Sequence, residues 1–193
     1  MTGVRSKVFS LALLIVAGLS FGAGTPRTPV QSAEQKLHYL DDNATREHPD
    51  PRPTELTEAE VNAYLASGKV RLPAGVEALH LAGAPGVITA RCRVDFESVR
   101  AGRANSNPLL GLFSDVHDVE VEAQASGSNH RGRVHVNSVA IDGIEVPHFI
   151  LQLFVEKYVT PRYPGVGLDS TFALPDKIET ATVGPHRLTV IQR

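Results

Sequence analysis

Apolar and polar positions alternate most regularly at Ile88, Ala90, Cys92, Val94 and Phe96, with Thr89, Arg91, Arg93 and Asp95 between them. A period of two over that length predicts a half-buried antiparallel strand. Val76 to Ala82 predicts its partner, with Ala84-Pro85-Gly86 as the turn. A second pair is expected from Val116 to Ala125 and from Arg133 to Ile141, separated by Ser126-Gly127-Ser128-Asn129. In the second member the phase changes: Val134 and Val136 give way to Val139 and Ile141, so an extra residue near Asn137-Ser138 predicts a bulge that bends the sheet. Asp142-Gly143 then turns the chain into Ile144-Glu145-Val146, and two last strands are expected at Ser170 to Leu174 and Lys177 to Gln192.

Helical spacing occurs in three places. Leu37, Leu40 and Ala44 predict a short helix over residues 34–46, ended by His48-Pro49-Asp50-Pro51-Arg52-Pro53. In Leu56-Thr57-Glu58-Ala59-Glu60-Val61-Asn62-Ala63-Tyr64-Leu65, Thr57 and Glu60 have the spacing of a capping box, and Gly68 suits the helix end. Asn62 interrupts the apolar face of that helix and is read as a surface side chain or one bonded to nearby backbone. Pro147 suits the first turn of a third helix, in which Phe149, Ile150, Leu151, Leu153, Phe154, Val155 and Tyr158 leave only Gln152, Glu156 and Lys157 polar. A helix so apolar must be covered on more than one side, or face a cavity or a partner.

The amino-terminal stretch reads differently. Arg5 and Lys7 precede an apolar run from Val8 to Phe21, and small residues follow at Gly22, Ala23 and Gly24, the layout of a cleavable export signal over residues 1–22. The run is short of the roughly 20 residues that a membrane-spanning helix needs. Residues 23–53 then read as a tether, with a short helix and a proline-rich spacer, and residues 54–193 as a single domain. The expected location is periplasmic or secreted, in a bacterial-type envelope.

Composition narrows the function. The 193 residues hold 19 Lys and Arg against 21 Asp and Glu, a formal net charge of −2, and loss of Arg5 and Lys7 with the signal would make the remainder more acidic. That is no electrostatic footprint for nucleic acid. Cys92 is the one cysteine, so no internal disulfide forms, and its place on an apolar strand face reads as packing rather than reactivity. The eight histidines, including His117 beside Asp115 and Asp118, and His130 and His135, match no metal-ligand spacing. Gly167-Leu168-Asp169-Ser170 lacks the second glycine of a nucleophile elbow, and no phosphate loop or dinucleotide fingerprint occurs. Neither a catalytic residue nor a cofactor is expected.

The expected fold is α+β: a strongly bent antiparallel sheet packed on one apolar helix, with a short helix before it. The helix from Leu56 to Leu65, the long amphipathic strands, the Ile144-Glu145-Val146-Pro147 step into an apolar helix and the terminal strands together resemble the small tubular lipid-binding (TULIP-like) domains of bacterial envelope proteins over about residues 54–192. The start at Thr57, Glu58 and Asn62 is the most specific piece of the resemblance. It implies a bent sheet wrapped round a helix with a lipid held between them. Such a groove would be lined by Phe149, Ile150, Leu153 and Phe154 from the helix and by Ile88, Val94 and Phe96 from a strand. The alternative is a solid core in an envelope module that docks a protein partner through strand edges or the apolar helix.

Overall fold

The computed structural model describes residues 27–100, 115–161 and 164–193. The expected export segment and the first residues of the expected tether lie outside the described residues. Thirteen elements plus a π-helical turn follow in the order α1 (Pro29–Ala44), β1 (Thr54–Thr57), α2 (Glu58–Ala66), β2 (Val76–Ala84), β3 (Val87–Asp95), α3 (Phe96–Arg100), β4 (Val116–Ser128), β5 (Arg131–Ile141), β6 (Ile144–Glu145), α4 (His148–Phe154), the π turn (Val155–Val159), β7 (Asp169–Ala173), β8 (Ile178–Gly184) and β9 (Arg187–Gln192). No helix among the described residues is long and apolar enough to cross a membrane.

The long β4–β5 hairpin is the spine of an open, wholly antiparallel sheet of nine strands. Asn129 and His130 join the two strands with positive φ of 51° and 59°, so both strands run further toward the turn than the alternation predicts. On one edge of β4 the β2–β3 hairpin pairs with the first part of the strand, and β8 takes over beyond it at Ser126↔Thr182 and Gly127↔Ala181. Gly86 sits at the fork, donating its N–H to Val183 O at 2.9 Å and accepting from Ala125 N at 2.9 Å. The edge of β5 divides likewise between β7 and β6. Between the two halves the register slips from Glu122↔Ser138 to Ala123↔Val136, leaving Asn137 as the extra residue of the expected bulge. A bulge increases local twist, and here it stands where the sheet splits.

The strand expected over Lys177 to Gln192 is two strands, β8 and β9, joined through Pro185 and His186. His186 has φ of 55°, a left-handed turn that the apolar run on either side does not announce. Strand β1, absent from the expectation, closes this end by pairing Thr54–Thr57 with β9.

Helix α1 starts five residues before the expected position, inside the stretch read as a tether. Thr28 caps it in a reciprocal box with Gln31, and Pro29 occupies the first turn. Ala33, Leu40 and Asn43 are buried. Asn43 donates to Gln192 Oε1 (2.8 Å) and Asp50 O (3.0 Å) and accepts from Asp50 N (2.8 Å). Gln192 in turn donates to Leu40 O (2.8 Å) and Asp176 O (2.6 Å). Two fully buried amides with their groups paired fix α1 against the last strand, since leaving either unpaired would cost about 1–3 kcal/mol. The segment is therefore part of the folded body.

Candidate functional site

Residues that face each other across an antiparallel pair point to the same side, and the register of β2, β3, β4 and β5 builds one apolar face. Its rows read Leu79, Cys92, Val119, Ile141; then Leu81, Ala90, Val121, Val139; then Gly83, Ile88, Ala123, Val136. Ala123 is buried, while Leu79, Leu81, Ala90, Cys92, Val119, Val121 and Val139 are only half-buried. Along β3 the two middle side chains, Ala90 and Cys92, are small, whereas those beside them on β2 and β4 are Leu or Val. By side-chain size the row along β3 is therefore lower than the rows on β2 and β4, and this low row is called the furrow. From Ile88 to Val94 it extends roughly 20 Å at the usual strand rise.

At one end, Phe96 is 6% exposed and packs with Val94, Val119, Ile141 and Phe154. The ring of His117 stands edge-on to Phe96 at 5.8 Å, and its Nδ1 lies 2.6 Å from Asp142 Oδ2. That hydrogen bond, with a second from Asp118 N, holds the Asp142 carboxyl below its usual range.

At the other end α2 lies against β2, and the sequence shows how it is held. Glu58 and Asn62 are one helical turn apart and project to the same side. Asn62 accepts from Leu81 N (2.8 Å) and donates to Leu81 O (2.7 Å), and Glu58 accepts from Gly83 N (3.0 Å). Two side chains thus do for the outer edge of β2 what another strand would do, which also blunts an edge that could pair elsewhere. The Glu58 carboxyl is held low by the Gly83 N–H first and by His186 second. Glu60, on the other side of the helix, is held by Lys36 Nζ at 2.7 Å, Ser32 Oγ at 2.5 Å and Thr57 N at 2.7 Å. Burial alone would raise its pKa, but these hydrogen bonds outweigh it and place it at about 2. Between α2 and the sheet lies a cavity of about 90 Å³ lined by Leu56, Val61, Leu81, Ile88, Val183 and Leu188, with Gly83, Glu58 and Arg187 among its other walls.

The groove expected from the sequence is divided. Val94, Phe96 and Phe154 come together in the aromatic cluster. Phe96 does so as the first residue of α3 rather than as a strand residue. Ile88 lines the cavity at the opposite end of the furrow. Ile150 is half-buried, but Phe149 and Leu153 are 64% and 50% exposed, and α4 has no buried residue. The seven-residue helix is not covered on more than one side, the first of the arrangements that its apolar girth predicts; its neighbour in the chain is the π turn, and Phe154 at its end makes the core contact. Sequence reasoning missed Val61 and Leu81 as lining residues and Glu58 and Asn62 as the side chains that place the helix. The signal for the latter pair was their four-residue spacing beside an edge strand.

The opposite face of the same strands is polar. A trough of about 510 Å³ lies there, with His80, Arg91, Arg93, Asp118 and Glu120 on its walls. Arg91 Nε is 2.6 Å from Glu120 Oε2, and both side chains are well exposed, so the pair contributes at most about 1 kcal/mol. Ser170 Oγ is engaged with Gly167, donating to its O at 3.1 Å and accepting from its N at 2.9 Å. His135 Nδ1 meets Asp169 Oδ1 across β5 and β7. Among the described residues no group of three or more His, Cys, Asp or Glu side chains could hold a metal ion.

Comparisons with protein-family models, with curated proteins and with solved structures find no match to this chain.

Proposed function

We propose that this protein is an exported, non-catalytic binder of a lipid or similar hydrophobic small molecule, held in the furrow along β3. The observation that carries this reading is the half-burial of Ala90 and Cys92 between larger apolar neighbours on β2 and β4. A packed interior closes to near-crystalline density, so small side chains in a row with water access mark a place where something else packs. The resemblance to tubular lipid-binding domains supports the same reading, as does the aromatic cluster at one end and the apolar cavity at the other.

Filling the furrow tests it. Native mass spectrometry of the wild-type protein purified from its own host is expected to show lipid-sized adducts. Ala90→Phe, which puts a ring on the furrow floor, is expected to reduce them at least about tenfold, a loss on the order of 1.4 kcal/mol in binding, with an unchanged melting temperature. Wild-type protein free of adducts, or a variant that keeps them, contradicts the proposal.

A second reading is favoured by Ile144, Phe149 and Leu153, which are 74%, 64% and 50% exposed along the β6–α4 segment. Exposed apolar side chains in succession suit an envelope protein partner. In the same assay Leu153→Asp leaves adducts in place if the furrow holds the ligand.

A further inference from the structure

The outer edge of β2 is occupied at Leu81 and Gly83 by Asn62 and Glu58, but the outer edge of β7 is open. Among the described residues β7 pairs only with β5. Just beyond the two ends of that ladder, Leu174 N donates to His130 O at 2.9 Å and Val136 N donates to Leu168 O at 2.8 Å. Hydrogen-bonded pairs alternate along an antiparallel ladder, so Ser170 and Phe172 turn their backbone groups to Val134 and Gly132. Thr171 and Ala173 therefore turn their N–H and C=O groups outward, and both residues are exposed. The strand, Asp-Ser-Thr-Phe-Ala, carries neither the proline nor the lysine, and its ladder no bulge, by which exposed edges are commonly blunted. Backbone donors and acceptors in such a row fit one kind of partner, another extended chain.

The two faces beside the edge define that chain further. On one face Arg131 and Arg133 stand on β5 behind Ala173 and Thr171, whose small side chains leave the arginines within reach of a strand added beyond β7. Both arginines are exposed, and among the described residues neither has an ion-pair partner. Asp169, the acid of β7 itself, is engaged by His135 in its own row. An added strand would lie two strand spacings from β5, about 10 Å, a gap that an arginine and a glutamate side chain cross together. On the other face Phe172 lies over Gly132, its ring leaving no room for a Cβ there, and remains 48% exposed. In an antiparallel pair the residues that bond Thr171 and Ala173 also put their side chains on the face of the arginines, and the residues between them stand beside Phe172.

We infer that the outer edge of β7 docks an extended segment of a partner protein, added antiparallel like every other strand of the sheet, in which acidic residues bonded to Thr171 and Ala173 alternate with apolar ones. The edge lies beyond the bulge at Asn137, apart from the furrow, and its occupation does not depend on a bound lipid.

The full chain is titrated by fluorescence anisotropy with a labelled synthetic peptide of alternating valine and glutamate, about nine residues long. Two further peptides carry lysine in place of glutamate, or an N-methyl group on every glutamate, which removes the donors that would face β7. The glutamate peptide is expected to bind with a Kd on the order of 1 mM or tighter, and the other two at least about tenfold more weakly. Thr171→Pro, which removes an outward N–H and no ladder bond, and Arg133→Glu are each expected to weaken the glutamate peptide at least about tenfold at an unchanged melting temperature. Absence of binding by the wild-type protein, or equal binding of the N-methylated or the lysine peptide, overturns the inference. So does a concentration-dependent dimer that Thr171→Pro converts to a monomer, which would put a second copy of the chain on this edge. If Thr171→Pro lowers the melting temperature, the N-methylated peptide and Arg133→Glu decide.

Discussion

At the scale of single residues, the most consequential group outside the furrow is Glu60. It is 7% exposed, and its hydrogen bonds from Lys36, Ser32 and Thr57 tie α1 to the start of α2. Its folded pKa of about 2 stands below the ordinary 4.5. Such a depressed carboxyl contributes stability that is fully present above the unfolded value and is lost as pH falls through the folded one, because the unfolded chain binds the proton first. The contribution at neutral pH is on the order of 3 kcal/mol. Glu60→Gln is accordingly expected to be less stable than wild type by a few kcal/mol at pH 7 in urea unfolding, and the gap is expected to narrow between about pH 4.5 and 2. A gap independent of pH would show that Glu60 acts through its shape and not its charge.

At the scale of elements, α2 is held to β2 by side chains rather than by a broad apolar contact. The three backbone groups at Leu81 and Gly83 depend on Asn62 and Glu58. Asn62→Ala leaves two of them without their partner and is expected to cost about 1–2 kcal/mol. Hydrogen exchange at Leu81 should speed up by at least about tenfold in that variant while exchange in the β4–β5 hairpin stays at the wild-type rate; equal acceleration in both would mean that α2 is no separate clasp. This element also shows what was legible in the chain. The cap at Thr57 and Glu60 was readable because it is local, three residues from end to end. The partners of Asn62 were not, because Leu81 lies 19 residues away and only the fold brings it near. Alternation revealed β2 to β5 and the bulge at Asn137, since a period of two needs one buried face and nothing more. Helical spacing found α1 but began it five residues late, because the buried Ala33 is not a large apolar side chain, and at α4 an apolar girth that called for cover, a cavity or a partner proved to have no buried residue. Burial is a property of the neighbours as much as of the residue.

At the scale of the molecule, two half-sheets share the β4–β5 spine, and the functional proposal concerns the half formed by β2 to β5. That half presents an apolar face with α2 clasped over one end and an aromatic cluster at the other, while its reverse is a charged surface. Ile88 and Phe96, both expected in one groove, stand at the two ends of β3 and so mark opposite ends of a track. Cys92 is half-buried on the floor between them and is the one thiol in the chain, its pKa raised by burial. A bound alkyl chain lying over Ala90 must cover it. The rate of Cys92 alkylation by a small maleimide, measured on lipid-stripped protein with and without saturating hexadecanoate, tests the account most directly. The fatty acid is expected to slow alkylation by at least about tenfold, the protection given by a ligand bound some 1.4 kcal/mol beyond half-occupancy; an unchanged rate with the fatty acid demonstrably bound would place the ligand elsewhere and contradict binding over Ala90.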